Sequence, residues 1–343
     1  MTTHVIAGYK GYGPYDVRAA ANLYDCTTGS VRVSNADGKG QTGWRIRSRV
    51  PPPGARWVGG EVLSDNKPTM EWTALHSHDG PGFFLANAKD FTVFKLRMTD
   101  TFDGVRGTDA TTNLTLDACW VTRHRDDLLE IDNRANIKRA RLYRVFNELG
   151  SGHVVSSRRG NQASGATPPV TIEVEACVVE LAPIFTDTRA KNIFSWSPDG
   201  RKSCRSFWKT ESLGTATSVL FKNNIIRASS LFNSAKSTHA LIEANSKLLP
   251  GSGGNILVWR GVQGTLGGIP AVSVPKMGGG TMKVPETLIG SGSNRQRILQ
   301  IFQFTDDDAV WSTAVENWKV NVWANQAASA QLALDPHPDL ETV

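Results

Sequence analysis

The chain has 343 residues, 40% of them hydrophobic and 20% charged, enough apolar material for a sizeable core and too much for global disorder or a coiled coil. Its 38 Lys and Arg against 32 Asp and Glu leave +6, a balance that suits an anionic partner without naming one. No apolar run reaches the ~18–20 residues of a membrane span, and Met1-Thr2-Thr3-His4 has no basic segment leading into an apolar one, so neither an anchor nor a secretory signal is expected in the given chain.

Residues 1–60 are rich in Gly and Pro, with Pro51-Pro52-Pro53-Gly54 breaking any regular element, and are expected to form an N-terminal cap. From about 61 to 260 a short β-like run, a turn and a second run recur at intervals of about two dozen residues. One column of this repeat holds Phe91–Arg97, Leu114–Trp120, Ile137–Tyr143, Val170–Cys177 and Val219–Ile225. The second holds Gly82-Phe-Phe-Leu85, Asp103-Gly-Val-Arg106, Asp127-Leu-Leu-Glu130, His153-Val-Val-Ser156 and Ser206-Phe-Trp-Lys209. One coil per period, each with apolar residues alternating inward, predicts an all-β chain wound as a right-handed parallel β-helix, in which stacked coils share one core. Stretches near 157–169 and 184–204 interrupt the period and are expected to be loops thrown out of the coils. Residues 261–343 form a C-terminal extension. In it, Thr305-Asp-Asp-Asp308 ahead of Ala309–Trp318 marks a helix start, with the Asp triplet as its cap and not a metal site. The last fifteen or so residues are expected to be disordered.

Two ladders test this winding. Lys95, Asp117, an Arg at 139 or 141, Glu175 and Lys222 alternate in sign down one column, which would set opposite charges on adjacent strands. Cys119 and Cys177 share a column two coils apart, roughly 10 Å, too far for a disulfide. With Cys26 and Cys204 widely separated and no CxxC pair present, no structural zinc site is expected.

Residues at one place in successive coils lie about 4.8 Å apart, so a column of polar groups becomes a site. The column of interest runs Asp103, Asp126/Asp127 and His153, with Lys209 one coil on. Gathered carboxylates raise at least one pKa by like-charge repulsion, while Lys and His hold another ionised. A protonated and an ionised carboxyl across a cleft are the parts an inverting glycosidase uses. For the adjacent Asp126 and Asp127 both to serve, they must sit at a turn–strand junction.

These segments resemble the polygalacturonase-type glycoside hydrolases, pectin-cleaving enzymes built on a right-handed parallel β-helix. Thr101-Phe-Asp103-Gly-Val105 is similar to that family's Asn-Thr-Asp-Gly-Ile. Arg125-Asp126-Asp127-Leu-Leu-Glu-Ile131 is similar to its Gly-Asp-Asp-Cys-Ile-Ala-Ile. Gly152-His153-Val-Val-Ser-Ser157 resembles Gly-His-Gly-Ile-Ser-Ile-Gly-Ser, and Phe207-Trp208-Lys209-Thr210 resembles Arg-Ile-Lys-Thr. The four pieces keep the family's order over about a third of the chain. The resemblance implies acid and base work by Asp103, Asp126 and Asp127, support from His153, and a substrate carboxylate held by Lys209. The family's Arg is Phe207 here, a place Arg106 or Arg205 could fill. Trp208 could stack on a sugar ring, and Arg125 and Glu130 complete the expected substrate contacts. The expected partner is an anionic polysaccharide, the expected compartment extracellular or periplasmic, and no cofactor, membrane or nucleic acid is expected.

A second resemblance competes. Leu116-Asp-Ala-Cys-Trp-Val with Asp127-Leu-Leu-Glu-Ile is similar to the pectate lyase pattern Ile-Asp-His-Cys with Asp-Gly-Leu-Leu-Asp-Ile. It implies Ca2+ on Asp117, Asp126 and Glu130, with Arg134, Arg158 or Arg159 as base. A third expectation is a non-catalytic β-helix, such as a virion fibre or surface-binding module, whose polar column is structural.

Overall fold

The structure, a computed structural model, describes residues 1–33, 42–46, 51–65, 80–108, 111–131, 138–157, 170–182, 207–210, 217–228, 241–242, 246–261 and 270–324. Three long sheets of nine, ten and seven strands run side by side, every pairing in them parallel, and each strand pairs with the equivalent strand of the coils before and after. This is a parallel β-helix. A typical coil reads Asn113–Asp117 in the first sheet, Trp120–Thr122 in the second and Asp127–Ile131 in the third. Inward residues of all three sheets meet in one continuous core, from Ile6 and Trp44 through Leu116, Leu129 and Val155 to Phe302. No helix of the described residues is long and apolar enough to cross a membrane.

The corners explain how so short a repeat turns. Between the first and second sheets, Lys95, Ala118, Arg144, Ala176 and Asn223 take φ of 52–55°, a left-handed conformation that side chains normally avoid. Each is held there by the next coil: the N–H groups of Lys95, Ala118, Arg144 and Ala176 each donate to the carbonyl of Asp117, Tyr143, Glu175 and Lys222, all at 3.0 Å. Asp100, Arg123 and Leu149 take the same conformation at the corner leading to the third sheet. Just past the first corner, Cys119 and Cys177 stand two coils apart and unbridged, as expected. The column continues into Asn224 and Asn255, whose amides link backbone to backbone: Asn224 Oδ1 accepts from Cys177 N, and Asn255 Oδ1 from Asn224 N.

The charge ladder forms in part; Lys95 stands at the corner beside Ala118, its Nζ donating to Trp323 O at 3.0 Å. Lys222 meets Glu175 at 3.4 Å and Arg141 reaches Glu175 at 3.0 Å. Asp117, however, is held by Arg144 at 2.7 Å, while Arg139 and Arg141 reach Glu173. Register explains it: Asp117 sits beside Tyr143, and the left-handed Arg144 swings its side chain back over the same coil edge.

The described residues before Gly60 wind as coils themselves. Thr3–Val5, Gly8–Tyr12 and Tyr15–Val17 build the first coil, and Leu23–Asp25, Gly29–Val33 and Trp44–Ile46 the second, in register with the rest. At the other end, Phe302–Thr305 adds a last strand to the second sheet beside Asn255–Trp259. The expected helix runs Asp308–Trp318, and Asp307 caps it by accepting from Ala309 N at 2.9 Å. Its Trp311 and Trp318 pack on Phe146, Val178 and Val258 across the outer face of the second sheet. The remaining two Asp of the triplet serve ion pairs, Asp306 with Lys276 and Asp308 with Arg227. Of the interruptions near 157–169 and 184–204, Ser157 still ends the strand His153–Ser157, and the rest, with the tail after 324, lies outside the described residues.

Candidate active site

The third sheet assembles the site. Asp127 opens the strand Asp127–Ile131, and Asp126 belongs to the turn before it, which is the junction two adjacent acids require. Asp127 and His153 are direct neighbours across coils. Backbone bonds tie Asp103 in: Gly104 N donates to Asp127 O, Asp126 N to Phe102 O, and Asp127 N to the Asp103 carboxylate at 3.1 Å. One oxygen from each of Asp103, Asp126 and Asp127 lies within 4.8 Å of the others. All three acids and His153 are buried, Asp103 and Asp127 completely.

A glycine makes this possible. A Cβ on Gly152 would sit 1.8 Å from Asp126 O, so only glycine lets the His153 coil approach close enough for His153 N to donate to that carbonyl at 2.6 Å.

Arg106 organises the opposite side. Its Nη2 donates to Asp103 Oδ2 at 2.6 Å, and its Nε donates to Glu130. Burial pushes the Asp103 carboxyl well above the usual carboxylate range, with Glu130, Asp126 and Asp127 adding to the shift and Arg106 opposing it. Asp103 therefore holds a proton more readily than a solvated carboxyl does.

The repeat pattern does not single out His124, yet it belongs to the site. It is fully buried, its Nε2 donates to His153 O at 3.1 Å, and Ser151 N and Oγ both donate to its carbonyl. Burial lowers its pKa to about 4, against the pull of the His153 carbonyl, Asn147 and Asp126, so it is neutral at pH 7. Its one sequence signal is a position two residues before Asp126, which does not separate it from any loop histidine. Two hydroxyls, Thr101 Oγ1 and Ser156 Oγ, are also fully buried and have no hydrogen-bond partner among the described residues.

Other expected contacts change. Trp208 is completely buried in the core, against Phe207 and Phe221, with its Nε1 donating to Leu241 O at 2.8 Å. It is packing, not a platform for sugar. Phe207 is equally buried, packed on Trp208 and Phe221. Arg106 and Glu130 are tied to each other and Arg106 also to Asp103, which takes Arg106 away from reading a substrate carboxylate. Arg125 is buried beside the acids, its backbone N–H donating to Phe102 O. Lys209 pairs in register with Ser156, but its side chain lies outside the described residues, as do Arg134, Arg158, Arg159 and Arg205. The calcium set of the lyase resemblance does not assemble: Asp117 closes a strand of the first sheet and is held by Arg144, away from Asp126 and Glu130 on the third. Among the described residues, a cleft of about 870 Å³ lies at the corner between the first and second sheets with Trp323 in its lining, and one of about 410 Å³ lies on the second sheet; Asp103, Asp126 and Asp127 are in neither lining.

Comparison with known protein families, curated proteins and solved structures finds no match to this chain.

Proposed function

We propose that the protein hydrolyses glycosidic bonds of a polysaccharide, using Asp103, Asp126 and Asp127 as a shared acid–base centre. The observation that carries this is their meeting, from two coils, with oxygens within 4.8 Å of one another. Two oxygens bridged by one water, each at a hydrogen-bond distance of about 2.8 Å, sit roughly 4.6 Å apart, so the trio has the spacing to hold a single water. One carboxyl, kept protonated by burial and its neighbours, donates to the leaving oxygen. Another, ionised, takes the proton of the attacking water. His153 and His124 keep the second coil in place behind Asp126 and Asp127.

Inversion at the anomeric carbon is the course the resemblance implies. The short separation instead lies nearer the ~5–5.5 Å of retaining pairs than the ~6.5–9.5 Å of inverting ones, and the configuration of the first sugar released distinguishes the two. With Arg106 engaged by two carboxylates, the preference for a uronic-acid chain rests on Lys209 and the basic balance alone.

The complete burial of Asp103 and Asp127 favours a second reading, in which the same residues form a structural polar ladder of a non-catalytic β-helix. Asp127→Asn separates the two. Under the hydrolase proposal it stays folded and loses reducing-end release by at least ~10³-fold, within the usual range for acid–base catalysis with its positioning. An active Asp127→Asn variant defeats the proposal.

A further inference from the structure

The outward column of the third sheet runs Phe84, Arg106, Glu130, Ser156 and Lys209 in register. Arg106 and Glu130 bind each other. Ser156, the next member, is fully buried, and its Oγ has no donor or acceptor among the described residues. Buried hydroxyls are almost always hydrogen-bonded, and one left unsatisfied is unfavourable, so such a group marks a place where something else supplies the bond. The apolar residues around this strand do not need it: Val155 already turns inward to the core.

We infer that Ser156 Oγ is a ligand contact, hydrogen-bonding a sugar hydroxyl of the glycan bound at the acid centre. The choice of a glycan rests on the hydrolase proposal; the existence of a ligand contact rests on the unsatisfied hydroxyl. The chemistry narrows the partner. A serine hydroxyl is neutral and offers one donor and two acceptor positions, which a sugar hydroxyl meets from both sides, whereas a carboxylate only accepts. Its neighbour in the column on one side, Glu130, carries a carboxylate that only accepts, and the next on the other side is Lys209. Ser156 stands one coil from Glu130, about 4.8 Å, and three residues along the strand from His153, roughly 10 Å. It therefore lies beside the bond to be cleaved and not at it. A contact there holds substrate equally in the ground and transition states, which moves KM and leaves kcat.

The test is Ser156→Ala, read in three ways. Without ligand its melting temperature equals or exceeds that of the wild type, because the lost hydroxyl had no protein partner. A lower melting temperature means that the hydroxyl serves the fold and overturns the inference. With substrate, KM rises about tenfold, the effect of one lost hydrogen bond of the stronger kind, while kcat stays within about twofold. An unchanged KM, the result expected if only a buried water occupies the place, overturns it. Should the wild type release no reducing ends, the hydrolase proposal falls alone. Affinity electrophoresis in gels containing soluble galactan or polygalacturonate then decides. Retardation of the wild type that Ser156→Ala loses supports the contact; equal migration of the two, or no retardation of the wild type, refutes it.

Discussion

Gly152→Ala is the sharpest perturbation of the contact between the two coils that carry the acids and His153. The new Cβ would lie 1.8 Å from Asp126 O, 2.4 Å from Asp126 C and 2.9 Å from Asp126 Cα, against 3.4 Å for ordinary contact. Backbone cannot rotate away as the tip of a side chain can, so the two coils must part locally by about 1.6 Å. Gly152 does not take the left-handed φ that would penalise alanine by itself, which leaves the clash as the whole cause. Overpacking of this kind costs ~1–3 kcal/mol. The bond from His153 N to Asp126 O, 2.6 Å long, weakens with it for a further ~0.5–1.5 kcal/mol. The sum is about 2–4 kcal/mol. At ~2–4 °C per kcal/mol for larger domains, the melting temperature falls by at least ~4 °C, and the urea midpoint moves down with an unchanged slope. The same displacement moves Asp126 and Asp127 from Asp103, and a shift of about 1 Å in a catalytic group costs on the order of a hundredfold in rate. Urea unfolding followed by tryptophan fluorescence and calorimetry measures the first effect. A Gly152→Ala protein within ~0.5 kcal/mol of the wild type, the range of ordinary surface changes, would refute the close approach of these coils.

Trp208→Ala is expected to lower stability by ~3–5 kcal/mol as a core truncation, while stacking on a sugar would cost affinity and spare stability; chemical denaturation beside a binding assay separates the two. Because the folded-state pKa of Asp103 is raised, its contribution to stability is full below the unfolded value and is lost as pH rises through the folded one. Melting temperatures across pH should therefore show a decline above the ordinary carboxylate range that flattens in Asp103→Asn, and an unaltered profile in that variant counts against the shift. Burial pushes the thiols of Cys26, Cys119 and Cys177 up to about 12, so iodoacetamide at a pH of about 8 should label none of them until denaturant is added. Peptide mass spectrometry locates the label, and modification of native Cys119 or Cys177 would contradict the packing.

The parts of the fold legible in the sequence are those whose strands are long. Leu114, Ala140, Ile172 and Val219 share one column on successive coils, despite the interruptions between them, because their strands run five to six residues, long enough for inward–outward alternation to show. The same regularity brings Asp103, Asp127 and His153 together across gaps of one turn each. The described residues of the first 60 obey the same winding but hide it. Strands of three residues, such as Thr3–Val5 and Leu23–Asp25, hold too few positions to alternate, and the Gly and Pro between them read as irregular chain. Trp208 escapes the pattern for a different reason: Phe207 and Trp208 are both buried, so alternation fails where the strand enters the sheet. The charge ladder slips at Arg144 because a left-handed residue redirects its side chain, which no pattern of residue types announces. His124 and Ser156 have no signal of their own, since what distinguishes them is burial among neighbours supplied by other coils.

The measurement that bears most directly on the carboxylate centre is product analysis of the wild-type protein on a panel of neutral and acidic polysaccharides, with and without chelator. New reducing ends without an ultraviolet-absorbing unsaturated sugar, undiminished by EDTA, are what three carboxyls sharing one water should yield. An unsaturated product that disappears with EDTA, or no cleavage of any polymer by a folded protein, would contradict it.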